Sequence, residues 1–157
     1  MVPINQKLTE GNDGPKHWYA ISVNTKCKRF EVLDSLRGGG DEGLHAHASL
    51  LINHIKGSWN HHYGESKIKI SEFETIYPDV PRQTNGDDCG FHVLVYFVRW
   101  LGRGMSALYA DDIIDARKVW AYKLINSTPF NKNTDAKTSI EDNIKVMQAK
   151  YRGFLES

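Results

Sequence analysis

One of the two cysteines lies where a polar turn gives way to a long apolar run. The turn reads QTNGDD, Cys89 and a glycine follow it, and the run FHVLVYFV after them is typical of a buried helix. In the first turn of such a helix, unpaired backbone N–H groups and the positive end of the helix dipole favour the thiolate, the nucleophilic form of cysteine. Cys89 is therefore a candidate nucleophile, with a small buried structural thiol as the alternative.

Nucleophilic catalysis by a thiol also needs a base and a third group that orients the base. His17 precedes the run WYAISV, and Asp34 ends the run FEVLD. Both runs are typical of short strands, so an antiparallel hairpin through the polar turn NTKCKR would place His17 beside Asp34. Gln83, six residues before Cys89, could offer its side-chain N–H to a developing oxyanion. Each of the three also has a simpler interpretation: a loop histidine, a turn-forming aspartate and a solvated amide.

Three short segments together resemble the signature of a known enzyme family. They are HW at 17–18, DS at 34–35 and PRQTNGDDCG at 81–90. This pattern is similar to that of the Ulp-type cysteine peptidases, the SUMO-specific proteases. The similarity extends from about residue 2 to about residue 127.

The resemblance implies a role for each site residue. Cys89 would be the nucleophile, His17 the general base and then the general acid, and Asp34 the group that orients His17. Gln83 would form the oxyanion hole together with the backbone N–H of Cys89. Trp18 would line the narrow channel that accepts the diglycine tail of the modifier, with a core aromatic as the alternative interpretation.

The resemblance also implies a fold and an activity. The fold class is α+β, a papain-like cysteine protease core of the Ulp type with a small mixed sheet flanked by helices. The activity is that of a thiol-dependent peptidase or isopeptidase that cleaves after the C-terminal diglycine of SUMO or a related ubiquitin-like modifier, and the partners are that modifier and its conjugates. Only sixteen residues precede His17, so we expect the family's amino-terminal lobe to be missing or shortened. The alternative function is a weak or inactive remnant that binds a modifier or another partner.

Periodicity and turn residues predict the elements that would position the site. Residues 1–128 are expected to form the protease core, and residues 129–157 a polar linker with an amphipathic C-terminal helix. Asp87 or Asp88 is expected to cap the helix that starts near Cys89, and the lack of a polar face predicts that this helix is central. Further predictions are a strand around 2–5, a helix around 44–59, one or two strands within KIKISEFETIYP, and a helix from 111 to about 127.

Composition excludes several other classes of protein. A hydrophobic content of 40% and a charged content of 25% in 157 residues are ordinary globular values. The net charge of +1 gives no reason to expect binding to nucleic acid or to a membrane, and no apolar run approaches the ~20 residues of a membrane span. The amino-terminal residues are too polar for a secretory signal, and two cysteines cannot form a disulfide framework. We therefore expect the protein to be located in a reducing compartment, the nucleus or the cytoplasm.

The remaining histidines and the second cysteine are not expected to do chemistry. His45, His47, His54, His61 and His62 lie in or after the predicted first helix, and the recurrence of His47, His54 and His61 at intervals of seven places those three on one side of it. No cysteine or carboxylate pattern accompanies them, so a solvated helix flank is predicted rather than a metal site. Cys27 lies in the hairpin turn between lysines, where an exposed or half-exposed thiol without a catalytic role is predicted. No cofactor and no metal ion is expected.

Overall fold

The computed structural model describes residues 1–8, 15–105, 110–126 and 142. The chain divides into two compact units, residues 1–113 and residues 114–157. Among the described residues, no helix has the length and apolar character needed to cross a membrane. The predicted C-terminal linker and helix, residues 129–157, lie outside the described residues apart from Asp142, and the predicted division into 1–128 and 129–157 stays a prediction.

A four-stranded mixed sheet forms the centre of the first unit. Its strands are β1 (Val2–Lys7), β2 (Lys16–Asn24), β3 (Arg29–Leu33) and β4 (Glu74–Ile76), and they follow one another across the sheet in chain order. The first three strands are antiparallel, and β4 runs parallel to β3. The predicted first strand and hairpin are confirmed. The segment KIKISEFETIYP forms a short 3₁₀ turn, Ile70–Glu72, before β4, so it holds one strand and not two.

Three helices occur among the described residues. They are α1 (Glu42–Tyr63), α2 (Cys89–Arg99) and α3 (Ala110–Asn126). All three were predicted, and α1 extends beyond the predicted 44–59 at both ends. Its first turn is capped by Asp41, whose carboxylate accepts a hydrogen bond from the backbone N–H of Leu44 at 2.7 Å.

Side chains of β2 alternate between two hydrophobic clusters, as the period of two in a strand requires. Tyr19 and Ile21 lie in a cluster that includes buried residues of α1. Ala20, between them, packs in a second cluster with Val93 and Tyr96 of α2. The two helices therefore cover opposite faces of β2, and α2 is held against the strand that carries His17.

A fully buried carboxylate ties the carboxyl end of α2 to the hairpin. Glu31 of β3 accepts hydrogen bonds from Trp100 Nε1 at 2.6 Å, Asn24 Nδ2 at 2.9 Å and Arg29 Nε at 2.9 Å. Burial by itself would raise the pKa of Glu31, but these hydrogen bonds outweigh burial and lower it. The charged form is thus held in place, and it fixes the end of α2 that is remote from Cys89.

The prediction that α2 is a central helix holds for only one of its faces. Val93 and Tyr96 are buried, whereas Phe97 and Val98 are 45% and 69% exposed. When all sides of a helix are apolar, the sequence does not indicate which side packs against the sheet, because no polar face marks the side exposed to solvent.

Candidate active site

His17 and Asp34 form a buried pair at one end of the hairpin. His17 is the second residue of β2, and Asp34 directly follows β3. His17 Nε2 lies 2.8 Å from Asp34 Oδ1, and each residue is only 2% exposed. The predicted contact between the two is confirmed. Because an ionised carboxylate only accepts hydrogen bonds, Nε2 is the nitrogen that carries the proton, which leaves Nδ1 as an acceptor.

Four hydrogen bonds converge on the Asp34 carboxylate. Besides His17, the backbone N–H groups of Leu36 and Arg37 donate to Oδ1 at 2.8 and 2.9 Å, and Arg37 Nε donates to Oδ2 at 2.9 Å. Burial raises the pKa of Asp34, but the bonds from His17 and from these backbone groups outweigh burial and lower it. Asp34 is thus held as an anion in a fixed orientation toward the imidazole.

Cys89 is the first residue of α2 and is 5% exposed. As the first helical residue, it keeps a backbone N–H that has no acceptor within the helix. Asp88 occupies the capping position as predicted, but its side chain makes no capping hydrogen bond. The Asp88 carboxylate instead accepts from Asn85 Nδ2 at 2.6 Å, while Asn85 Oδ1 accepts from the N–H groups of Asp87 and Asp88. The side-chain capping prediction is therefore wrong, because a local turn around Asn85 uses the carboxylate.

The residues that follow His17 and Cys89 lie near each other. A Cβ built on Gly90 would lie 3.7 Å from Trp18 Cδ1. Trp18 is 41% exposed, so it is not a core aromatic. Among the described residues, no hydrogen bond joins the Cys89 thiol to the imidazole of His17. Such contacts are often longer in a free enzyme than with substrate bound.

Gln83 is anchored to the end of β3. Its backbone N–H donates to the carbonyl of Ser35 at 2.9 Å, and its side-chain Oε1 accepts from Ser35 Oγ at 2.6 Å. Its Nε2 donates to the carbonyl of Asn85. Ser35 follows Asp34 directly, so the loop that carries Gln83 is attached beside the carboxylate that binds His17.

Residues 1–129 match a model described as the Ulp1 protease family, C-terminal catalytic domain. The match covers most of the chain and includes every residue predicted for the site. The chain belongs to the Ulp1 protease family. The expected family membership is confirmed.

Curated relatives of this Ulp1-family chain share a quarter to a third of its residues over the matched parts. Ubiquitin-like-specific protease 1A of Arabidopsis thaliana is 26% identical over 112 residues, which is 71% of this chain and 20% of that protein. Putative ubiquitin-like-specific protease 1B of the same plant is 31% identical over 97 residues, which is 60% of this chain and 27% of that protein. The chain thus spans about a quarter or less of the length of these relatives.

Solved structures show the same fold. The C-terminal Ulp1 protease domain in complex with Smt3, the yeast orthologue of SUMO, matches with a TM-score of 0.59 and 21% identity, over 78% of this chain and 50% of that chain. The SUMO protease Ulp1 with its catalytic cysteine oxidised to a sulfonic acid matches with a TM-score of 0.60 and 23% identity, over 80% and 53%. The chain spans about half of each structure, and the predicted α+β core of the Ulp type is confirmed.

In this Ulp1-family chain, Arg37 is a site residue that the sequence reasoning missed. Besides binding Asp34, its guanidinium carbon lies 5.5 Å from the centre of the Tyr19 ring, and its Nη2 is buried without a hydrogen-bond partner. Tyr19 is hydrogen-bonded to His47 Nδ1 at 2.8 Å, and burial raises the pKa of Tyr19 to about 12. An arginine three residues after the aspartate was the only signal available in the sequence.

The prediction of a solvated histidine flank holds for only part of α1. His54, His61 and His62 are exposed, but His47 bonds Tyr19, and His45 stacks on Tyr77 with ring centres 3.8 Å apart. Within the described ranges, no group of three metal-binding side chains occurs. Cys27 is exposed, as predicted.

Proposed function

We propose that this chain is a thiol-dependent peptidase or isopeptidase that cleaves after the C-terminal diglycine of SUMO or a related ubiquitin-like modifier. The observation that carries the proposal is the buried His17–Asp34 pair. Trp18, which follows His17, lies near Gly90, which follows Cys89, since a Cβ built on Gly90 would be 3.7 Å from the Trp18 ring. Family membership and the Smt3 complex of a structural neighbour support the substrate class.

The proposed reaction begins with proton transfer from Cys89 to His17. Nε2 of His17 is occupied by Asp34, so Nδ1 is the nitrogen that accepts the thiol proton. Asp34 holds the ring in this tautomer and stabilises the imidazolium that forms. Its lowered pKa keeps the carboxylate ionised throughout the neutral range.

The thiolate of Cys89 then attacks the carbonyl carbon of the terminal glycine of the modifier. Negative charge develops on the carbonyl oxygen, where the backbone N–H of Cys89 and the second hydrogen of Gln83 Nε2 donate to it. His17 gives its proton to the departing amine, and a thioester between Cys89 and the modifier remains. Water, deprotonated by His17, attacks the thioester and releases the modifier and the free thiol.

Trp18 is proposed to line the entrance that the diglycine tail must pass. Its half-exposed indole lies near Gly90, the residue after the proposed nucleophile. A diglycine tail has no side chains and can therefore lie close to the flat indole, whereas a residue with a side chain would clash with the ring. We place the reaction in the nucleus or the cytoplasm, because both cysteines are free thiols and the chemistry requires a reduced one.

The proposal is tested by labelling with ubiquitin-like modifiers that carry an electrophile in place of the terminal carboxylate. Wild type should form a covalent adduct with SUMO or one related modifier, whereas Cys89→Ala should form none. Cys27→Ala is the matched control, because it removes the other, exposed thiol, and it should label as wild type does. Labelling of folded Cys89→Ala would show that the nucleophile is assigned wrongly. No adduct from folded wild type with any modifier would favour the binding remnant over the peptidase.

A further inference from the structure

We infer that Ser35 is a positioning residue that aims the side-chain amide of Gln83 at the oxyanion. The inference rests on the proposed function, in which Gln83 donates to the oxyanion. Ser35 is 1% exposed and belongs to the turn that directly follows β3. Its hydroxyl donates to Gln83 Oε1 and also hydrogen-bonds Tyr96 of α2, so a test of positioning must separate these two contacts.

The orientation of the Gln83 amide follows from the chemistry of its two neighbours. The carbonyl of Asn85 can only accept a hydrogen bond, so the atom of Gln83 that faces it is the nitrogen. The oxygen Oε1 therefore faces Ser35 Oγ, 2.6 Å away, and the hydroxyl of Ser35 must donate. One hydrogen of Nε2 is used by Asn85, and the other remains for a substrate.

Hydrogen bonds to backbone carbonyls hold the segments at both ends of the Ser35–Gln83 hydrogen bond in place. The N–H of Gln83 donates to the carbonyl of Ser35 at 2.9 Å, and the guanidinium of Arg82 donates to the carbonyl of Asp34 at 3.3 Å. The hydroxyl of Tyr96, a buried residue of α2, donates to the carbonyl of Pro81 at 3.0 Å. The loop is thus joined both to the end of β3 and to the helix that begins with Cys89.

The last torsion of a glutamine side chain has no sharp preference, so the scaffold must supply one. Without the Ser35 hydroxyl, Oε1 would lose its donor, and the amide could turn its nitrogen away from the oxyanion. A donor fixed beforehand contributes more to catalysis than one that must be oriented during the reaction. Removing an oxyanion donor altogether typically costs ~100 to 1,000-fold in turnover. Loss of its orientation in Ser35→Ala should therefore lower turnover by roughly 10 to 100-fold.

The test compares Ser35→Ala with Ser22→Ala in the full chain. Ser22 lies on β2 and hydrogen-bonds the buried Glu31, so its variant also removes a hydroxyl from the same sheet but leaves Gln83 untouched. For each variant, kcat for the modifier substrate and the rate of alkylation of Cys89 by iodoacetamide would be measured. Alkylation needs the thiolate but forms no oxyanion. We expect Ser35→Ala to lower kcat and leave alkylation unchanged, and Ser22→Ala to alter neither.

A double-mutant cycle with Gln83→Ala separates positioning from a general structural effect. If Ser35 acts through Gln83, Ser35→Ala should cost nothing further in kcat once Gln83 has been replaced. Independent losses that multiply in the double variant would overturn the inference. Should Ser35→Ala fail to fold, Ser35→Cys keeps the size of the side chain with a weaker donor, and the same non-additivity is expected.

The side-chain amide signals of Gln83 in ¹⁵N NMR spectra, identified by their loss in Gln83→Ala, provide a readout independent of turnover. They should move toward free-glutamine values in Ser35→Ala and stay in place in Ser22→Ala. Unchanged signals in Ser35→Ala would overturn the inference. If the signals move but wild type cleaves no modifier, the positioning of Gln83 by Ser35 stands and the proposed function fails.

Discussion

His17 Nε2 and Asp34 Oδ1 lie 2.8 Å apart, and both residues are almost fully buried. The other carboxylate oxygen is bound by Arg37 Nε at 2.9 Å. Asp34 therefore has a cationic partner whether or not His17 is protonated. A buried carboxylate with such a partner stays ionised and keeps its orientation, which is what a group that holds a catalytic imidazole must do.

We predict that Asp34→Asn lowers kcat by about 10,000-fold, the scale typical when the carboxylate of a catalytic triad is replaced by an amide. The amide nitrogen can donate to His17, which would favour the wrong tautomer and leave Nδ1 without a lone pair for the thiol. The measurement is cleavage of a fluorogenic modifier substrate. Asp115→Asn is the control, because the Asp115 side chain is 71% exposed and pairs with the exposed Lys118 of α3, and this variant should cleave at the wild-type rate. Full activity of Asp34→Asn would refute the assigned role.

A second prediction concerns stability in acid. The pKa of Asp34 is lower in the folded protein than its ordinary value of 3.8. The unfolded chain therefore binds a proton more readily, and the stability contributed by ionised Asp34 is complete above the unfolded pKa. It is lost as the pH falls through the folded pKa. Glu31, whose pKa is also lowered, contributes in the same direction.

Urea unfolding between neutral pH and pH 3 tests this prediction. The free energy of unfolding of wild type should fall as the pH drops, and that of Asp34→Asn should fall less steeply because one of the two linked carboxylates is gone. Parallel curves for the two proteins would mean that Asp34 titrates alike in the folded and unfolded states.

Trp18→Ala should impair reaction with modifiers more than it impairs the thiol itself. The indole is half exposed and lies near Gly90, so we expect a slower reaction with modifier probes and an unchanged rate of iodoacetamide alkylation of Cys89. Trp59→Ala is the matched control: Trp59 packs against the hydrophobic core and hydrogen-bonds the carbonyl of Ile68. It should lower the free energy of unfolding and leave modifier labelling of the folded protein unchanged. Equal losses for both probes in Trp18→Ala would argue against a channel role.

Two glycines should respond to alanine in opposite ways. Gly102 has a φ of +76°, and a Cβ there would lie 2.4 Å from Asn24 Nδ2, a donor to Glu31. Gly102→Ala should therefore lower the free energy of unfolding by about 1 to 3 kcal/mol. A Cβ added to Gly57, within α1, would meet no atom within 4 Å, and Gly57→Ala should raise stability by roughly 0.5 to 1 kcal/mol. Thermal or urea unfolding measures the stability of both variants. An unchanged free energy of unfolding in Gly102→Ala would show that the backbone around residue 102 relaxes to accommodate the Cβ.

Local patterns in the sequence were sufficient for most of the elements and for one contact of the site. The alternation around β2 and β3 predicted a hairpin. Its register pairs Ala20 with Leu33, so Asp34 follows opposite Tyr19, and the His17 side chain, two residues along the same strand, reaches it diagonally. The change from a polar turn to an apolar run likewise predicted that a helix starts at Cys89. The hairpin and the start of α2 depend on residues that are close in the chain, so they can be predicted from local sequence patterns.

What the sequence by itself determined is the set of chemical groups, their elements and the family to which the chain belongs. Only the tertiary structure decided that Arg37 shares the carboxylate of Asp34, that Ser35 orients Gln83, and that one apolar face of α2 is exposed. The Ser35 contact joins residues 48 positions apart in the chain. Such contacts arise when packed elements leave a donor facing an acceptor at hydrogen-bond distance, and no local periodicity encodes that distance.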